Sequence, residues 1–145
     1  MENDCRKITA DEALSITLEL WQHLAKTGDS MKGDWEGWKR HDLVGCRLDC
    51  ALCQYAVKDE HYPANCDICP YHMYYGKGCL DTEGGRTPLD RWYKATSKRS
   101  RMYWARQCVK QIEAIINKRY RDRLINVRSD AAYTEKLMTQ EELEV

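Results

Sequence analysis

Apolar side chains recur at helical spacing in two stretches of the chain, and between them no clean period holds. In the first stretch Leu14, Leu18, Trp21 and Ala25 step by 4, 3 and 4, with Leu24 beside them, which marks one face of a helix. Thr9-Ala-Asp-Glu12 ahead of that face reads as a capping box: the Thr hydroxyl satisfies an orphan amide and Glu12 reaches back, while Gly28 is a natural C-cap. Together these signals predict an N-terminal helix over 10–28. In residues 29–45 the glycines Gly33 and Gly37 and the Trp35/Trp38 pair predict a loop or short helix pinned by indoles. In the second stretch Ala105, Val109, Ile112, Ile116, Tyr120, Leu124 and Val127 step by 4, 3, 4, 4, 4 and 3, with neither Gly nor Pro over 98–127. This predicts a long helix with a buried stripe, about 45 Å in length at 1.5 Å per residue. That is longer than a small body needs, so its far end is expected to project or to join a second copy in a homodimer. Just before it, Pro88-Leu-Asp-Arg-Trp92 places proline in a first helical turn and predicts a short helix to about Thr96. The acidic tail, 129–145, is expected to add a loose last helix near Thr139 or to remain disordered.

Composition sharpens this picture. The 145 residues favour one domain, divided here into the N-terminal helix (10–28), a cysteine module (46–80), a helical region (88–127) and the tail (129–145). With 43% apolar and 32% charged residues the core must be modest, and with no Phe its aromatic bulk falls to five Trp and nine Tyr. The chain contains no apolar run long enough to span a membrane, and residues 1–11 are too polar for a signal peptide, so a cytoplasmic protein is expected.

Eight cysteines without an export signal point to metal rather than to disulfides. Six fall within 34 residues: Cys46, Cys50, Cys53, Cys66, Cys69 and Cys79. Cys50-Ala-Leu-Cys53 and Cys66-Asp-Ile-Cys69 are both C-x-x-C pairs, separated by 12 residues, and four thiolates so spaced close a tetrahedral structural Zn²⁺ site. Cys79 and, less directly, Cys46 are substitute ligands, His61 and His72 lie near enough to be considered, and an iron–sulfur cluster would use the same thiolates. Cys5 and Cys108 stand apart as outliers whose substitution by Ser is expected to be nearly silent. The expected fold is thus mainly α, the N-terminal and long C-terminal helices packing around a small zinc-ribbon- or knuckle-like module of four cysteines.

The formal net charge is zero, but its signs separate along the chain. Residues 1–85 hold 9 basic and 15 acidic side chains, a net of −6; residues 86–128 hold 13 and 3, a net of +10; the tail carries −4. On the long helix Arg99, Tyr103, Arg106, Lys110, Arg121 and Arg128 gather on a face beside the buried stripe. A line of cations interrupted by a ring suits phosphate contacts with base stacking. The competing use of that face is neutralisation by the acidic first half or by an acidic partner protein. Arg119 and Arg123 fall at the stripe's edge and call for acidic partners, either Asp11, Glu12 or Glu19 on the first helix or an ion-paired dimer seam.

The cysteine pattern resembles that of small uncharacterised accessory proteins encoded by tailed bacteriophages. The likeness lies in Leu24-Ala-Lys-Thr-Gly28 closing a Trp-containing helix, Cys50-Ala-Leu-Cys53-Gln-Tyr-Ala, Cys66-Asp-Ile-Cys69-Pro, Gly78-Cys79, Trp92 and the long helix, over roughly residues 10–116. It implies a phage accessory product in the host cytoplasm, with no particular activity. Motifs for enzymes are missing: there is no Gly-rich phosphate loop, no G-x-S-x-G, no H-E-x-x-H and no deaminase signature. His41, His61 and His72 lack the spacing of an HNH-type nuclease. The expectation is a non-enzymatic, zinc-stabilised binding protein whose basic helix contacts nucleic acid or another anion. An inhibitor of a host defence protein is the second reading, and a metal-dependent nuclease the third.

Overall fold

The computed structural model of the chain describes residues 6–44, 50–55, 68–76 and 87–143, the side chains of residues 54 and 128–143 aside. Among the described residues every regular element is helical: α1 (Ala10–Thr27), a single 3-10 turn (Lys32–Asp34), α2 (Gly37–Arg40), α3 (Ala51–Tyr55), α4 (Pro70–Tyr75), α5 (Pro88–Lys94) and α6 (Lys98–Leu143). The chain divides into two units, Met1–Ile115 and Ile116–Val145, with the boundary inside α6.

α1 begins where its capping box says it should. Thr9 Oγ1 accepts from the Glu12 amide at 3.1 Å, and the Thr9 amide donates back to Glu12 Oε1 at 3.4 Å. The Arg6 guanidinium, 2.9 Å from Glu12, together with the Thr9 amide, holds the Glu12 carboxyl below its usual range. The helix ends at Gly28 in the left-handed region, φ 72°, with its amide bonded to Leu24 O at 2.9 Å. Arg101 Nε from α6 also donates to Gly28 O at 2.9 Å, and a Cβ added at Gly28 would run into the Lys98 and Met102 side chains. Gly28 is therefore required twice, for its backbone angle and for the close approach of α6. Gly28→Ala should lose about 1–2 kcal/mol of stability, read as a lower urea midpoint at unchanged slope; a midpoint equal to that of the wild type would show that the helix end is free to shift.

The buried side of α1 is broader than the predicted stripe. Ala13, Leu14, Ile16, Thr17, Leu20, Trp21 and Leu24 are buried, whereas Leu18 and Ala25 are only half-buried. The breadth follows from contact on more than one side, since α1 packs against both α2 and α3. The indole pin in residues 29–45 takes the expected form: Trp35 and Trp38 stand edge to face at 5.3 Å, and Trp38 Nε1 donates to Lys32 O at 2.9 Å. Glu12 is engaged by Arg6, and Glu19 by His41 at 2.7 Å and Arg40 at 3.3 Å, so both carboxylates have partners within the first unit.

α5 is capped by Thr87, whose Oγ1 accepts from the Asp90 amide at 3.2 Å, and Trp92 from this helix meets Trp21 edge to face at 5.2 Å. Ser97 Oγ accepts from the Ser100 amide at 3.1 Å at the start of α6. Two expectations for α6 are corrected. The helix does not stop near Val127 but continues through the acidic tail to Leu143. Its buried line is Ala105, Cys108, Ile112 and Ile115, which keeps Ala105 and Ile112 of the predicted stripe but not the rest: Val109 and Ile116 are half-buried, while Tyr120, Leu124 and Val127 are 59%, 38% and 64% exposed. On the Cys108 side of the helix, Gln111 is held by α4. Tyr71 Oη donates to Gln111 Oε1 at 3.0 Å and Tyr75 Oη to Gln111 O at 3.3 Å.

Candidate metal centre

Both C-x-x-C pairs lead into helices. Cys50 immediately precedes α3, which carries Cys53 in its first turn, and Cys69 is the N-cap of α4 with Pro70 in the first helical position. Proline there costs no hydrogen bond, because that amide would be unpaired anyway. The described flanks of the pairs are thus helical. Tyr71, Tyr74 and Tyr75 of α4 lie against one another, with ring centroids 4.8 Å apart for Tyr71 and Tyr75 and 4.6 Å for Tyr74 and Tyr75. Cys5, Cys46, Cys66, Cys79 and His61 lie outside the described residues.

Cys50, Cys53 and Cys69 line one small cavity of about 40 Å³, and the fourth cysteine in its wall is Cys108 of α6. Its position corrects the treatment of that residue as an outlier: Cys108 is 4% exposed, Cys69 is 8% exposed, and Cys50 and Cys53 are half-buried. Because Cys108 is buried one helical turn before Gln111, Cys108→Ser is expected to cost stability rather than to be silent. Trp21 and Ile112 supply an apolar lining, and Thr17 adds a hydroxyl. Thr17 Oγ1 is buried with no hydrogen-bond partner among the described residues, which leaves a donor in the wall beside four sulfurs.

The hydrogen bond with the Cys53 side chain holds the Cys50 thiol down to about 6 against the opposing effect of burial, and the Lys32 charge lowers it further. Lys32 is itself 6% exposed, its ammonium 4.9 Å from the centroid of the Tyr93 ring and 5.9 Å from that of Trp21. A buried cation beside a thiol favours thiolate, the form that binds metal. As placed, no three His, Cys, Asp or Glu side chains among the described residues stand close enough to hold one ion between them.

The cations and ring singled out on α6 are exposed where they are described. Arg99, Tyr103, Arg106 and Lys110 are all exposed, Tyr103 at 47%, and at 100° per residue they lie half a turn away from Ala105, Cys108, Ile112 and Ile115. Arg99, Arg106 and Lys110 have no ion-pair partner among the described residues. Arg121 is exposed as well, but it belongs to the second unit. Arg128 lies where side chains are not described. No family model, curated protein or solved structure matches the chain.

Proposed function

We propose that this chain is a non-enzymatic binding protein, held together by one structural zinc ion on its cysteine module, that contacts nucleic acid through the Arg99, Tyr103, Arg106 and Lys110 face of α6. The observation that carries the contact is the exposure of three cations, none with an ion-pair partner among the described residues, on the side of the helix opposite its buried line. Of the acidic residues on the first helix, Glu12 is engaged by Arg6 and Glu19 by Arg40 and His41. Cations along a helix release counterions from phosphates, and an exposed Tyr103 ring gives a splayed base a surface to stack on.

Supporting the zinc is the convergence of cysteines from the α3 segment, the α4 cap and α6 on the wall of one cavity. The ion's role is to hold the module, since sulfur fills every position that a water-activating site would leave open. The direct test titrates the protein with short single- and double-stranded DNA and RNA at low salt. Binding should be detectable below about 0.1 mM protein and should weaken steeply as salt rises, the signature of phosphate contacts. Absence of binding at that concentration would reassign the face to an acidic protein partner.

A further inference from the structure

We infer that Cys108 is a ligand of the zinc ion, so that the metal fastens the long helix α6 to the two C-x-x-C segments. This deepens the zinc reading above and rests on it. The four described cysteines come from three separate stretches of chain, yet all of them line one cavity of about 40 Å³. A lone buried cysteine is usually only a small apolar filler. Cys108 is not alone: it shares its wall with three other sulfurs and with the unpartnered hydroxyl of Thr17.

The surroundings suit a charged sulfur site better than a packing seam. Four thiolates around Zn²⁺ carry a net charge of −2, which a core tolerates only with compensation. The buried Thr17 hydroxyl lines the same cavity, has no hydrogen-bond partner among the described residues and is available to donate to a sulfur. The tyrosine hydroxyls of α4 on Gln111 fix the register between the helix that Cys69 caps and the turn of α6 that bears Cys108. A ligand on α6 has a consequence that a site confined to residues 46–80 lacks. It ties the element bearing the exposed cations to the metal, because Cys108 and the Arg106/Lys110 pair occupy opposite sides of the same helical turns.

The test uses the full-length protein loaded with ¹¹³Cd²⁺ under reducing conditions, with cadmium-to-proton correlations that identify each ligating cysteine by its β protons in the wild-type chain. Correlations to Cys108 together with Cys50, Cys53 and Cys69 are expected. A bound cadmium with a full set of ligands that omits Cys108 overturns the inference and leaves the zinc reading intact. Failure of the wild type to bind cadmium or zinc removes both. Cys108→Ser should weaken Cd²⁺ binding about 100-fold, as expected when one of four anchoring ligands is lost; an affinity within about twofold of wild type would contradict the assignment.

Discussion

Stripping zinc from the purified protein with a strong chelator should remove about 4 kcal/mol or more of stability and lower Tm by about 12–16 °C, at about 3–4 °C per kcal/mol for a chain of this size. The size of the effect follows from what else holds the first unit together. Its largest fully enclosed apolar side chains among the described residues are Leu14, Leu20, Leu24 and Ile115, and small cores depend on such cross-links. Free zinc should restore the transition. Cys50→Ser should reproduce the loss without chelator, since removing one thiolate leaves the remaining ligands with an open position. Elemental analysis showing no stoichiometric metal in protein purified under reducing conditions would defeat the zinc reading outright, as would a Tm that ignores the chelator.

Reversing Arg99, Arg106 and Lys110 together to Glu should abolish retention on nucleic acid while moving folding stability by no more than about 1 kcal/mol. The asymmetry comes from the position of these residues: all three are exposed and none contributes to the line from Ala105 to Ile115. Each lost phosphate contact on duplex DNA should lower the slope of log affinity against log salt by about 0.9, so residual binding should show a slope shallower by nearly three. Neutral Gln at the same positions should give an intermediate result. If the reversed protein still binds with its original salt slope, the contact lies elsewhere on the molecule. Tyr103→Ala separates stacking from charge, costing about 1–3 kcal/mol on single strands if a base lies on the ring and little on duplex.

Local signals were read well from the residues alone, and long-range ones were not. The start and end of α1 were legible because capping depends on a few neighbours: Thr9 and Glu12 need only each other, and Gly28 needs only its own backbone angle. The indole pin at Trp35 and Trp38 and the start of α5 at Pro88 are local in the same way. By contrast, the buried face of α6 was placed too far from Cys108, because a stripe of aliphatic residues shows which side can be buried but not which partner will cover it. On α6 the side that carries Gln111 meets tyrosine hydroxyls of α4, which carry no periodic signal. The place of Cys108 in the wall of the cavity that Cys50, Cys53 and Cys69 line was equally invisible, because spacing shows only when two cysteines share a loop.

The meeting of Trp21 and Trp92, edge to face at 5.2 Å, gives the protein an optical handle on its own centre. Two indoles at that separation share their excitation, so the pair, alongside Trp35 and Trp38 at 5.3 Å, adds to the near-ultraviolet circular dichroism a contribution that depends on the contact between α1 and α5. Trp21 also stands in the cavity wall beside the sulfurs, which couples the emission of the pair to whatever occupies that space. The cysteine chemistry and the seating of the short helix α5 can therefore be followed in one unlabelled sample by light alone.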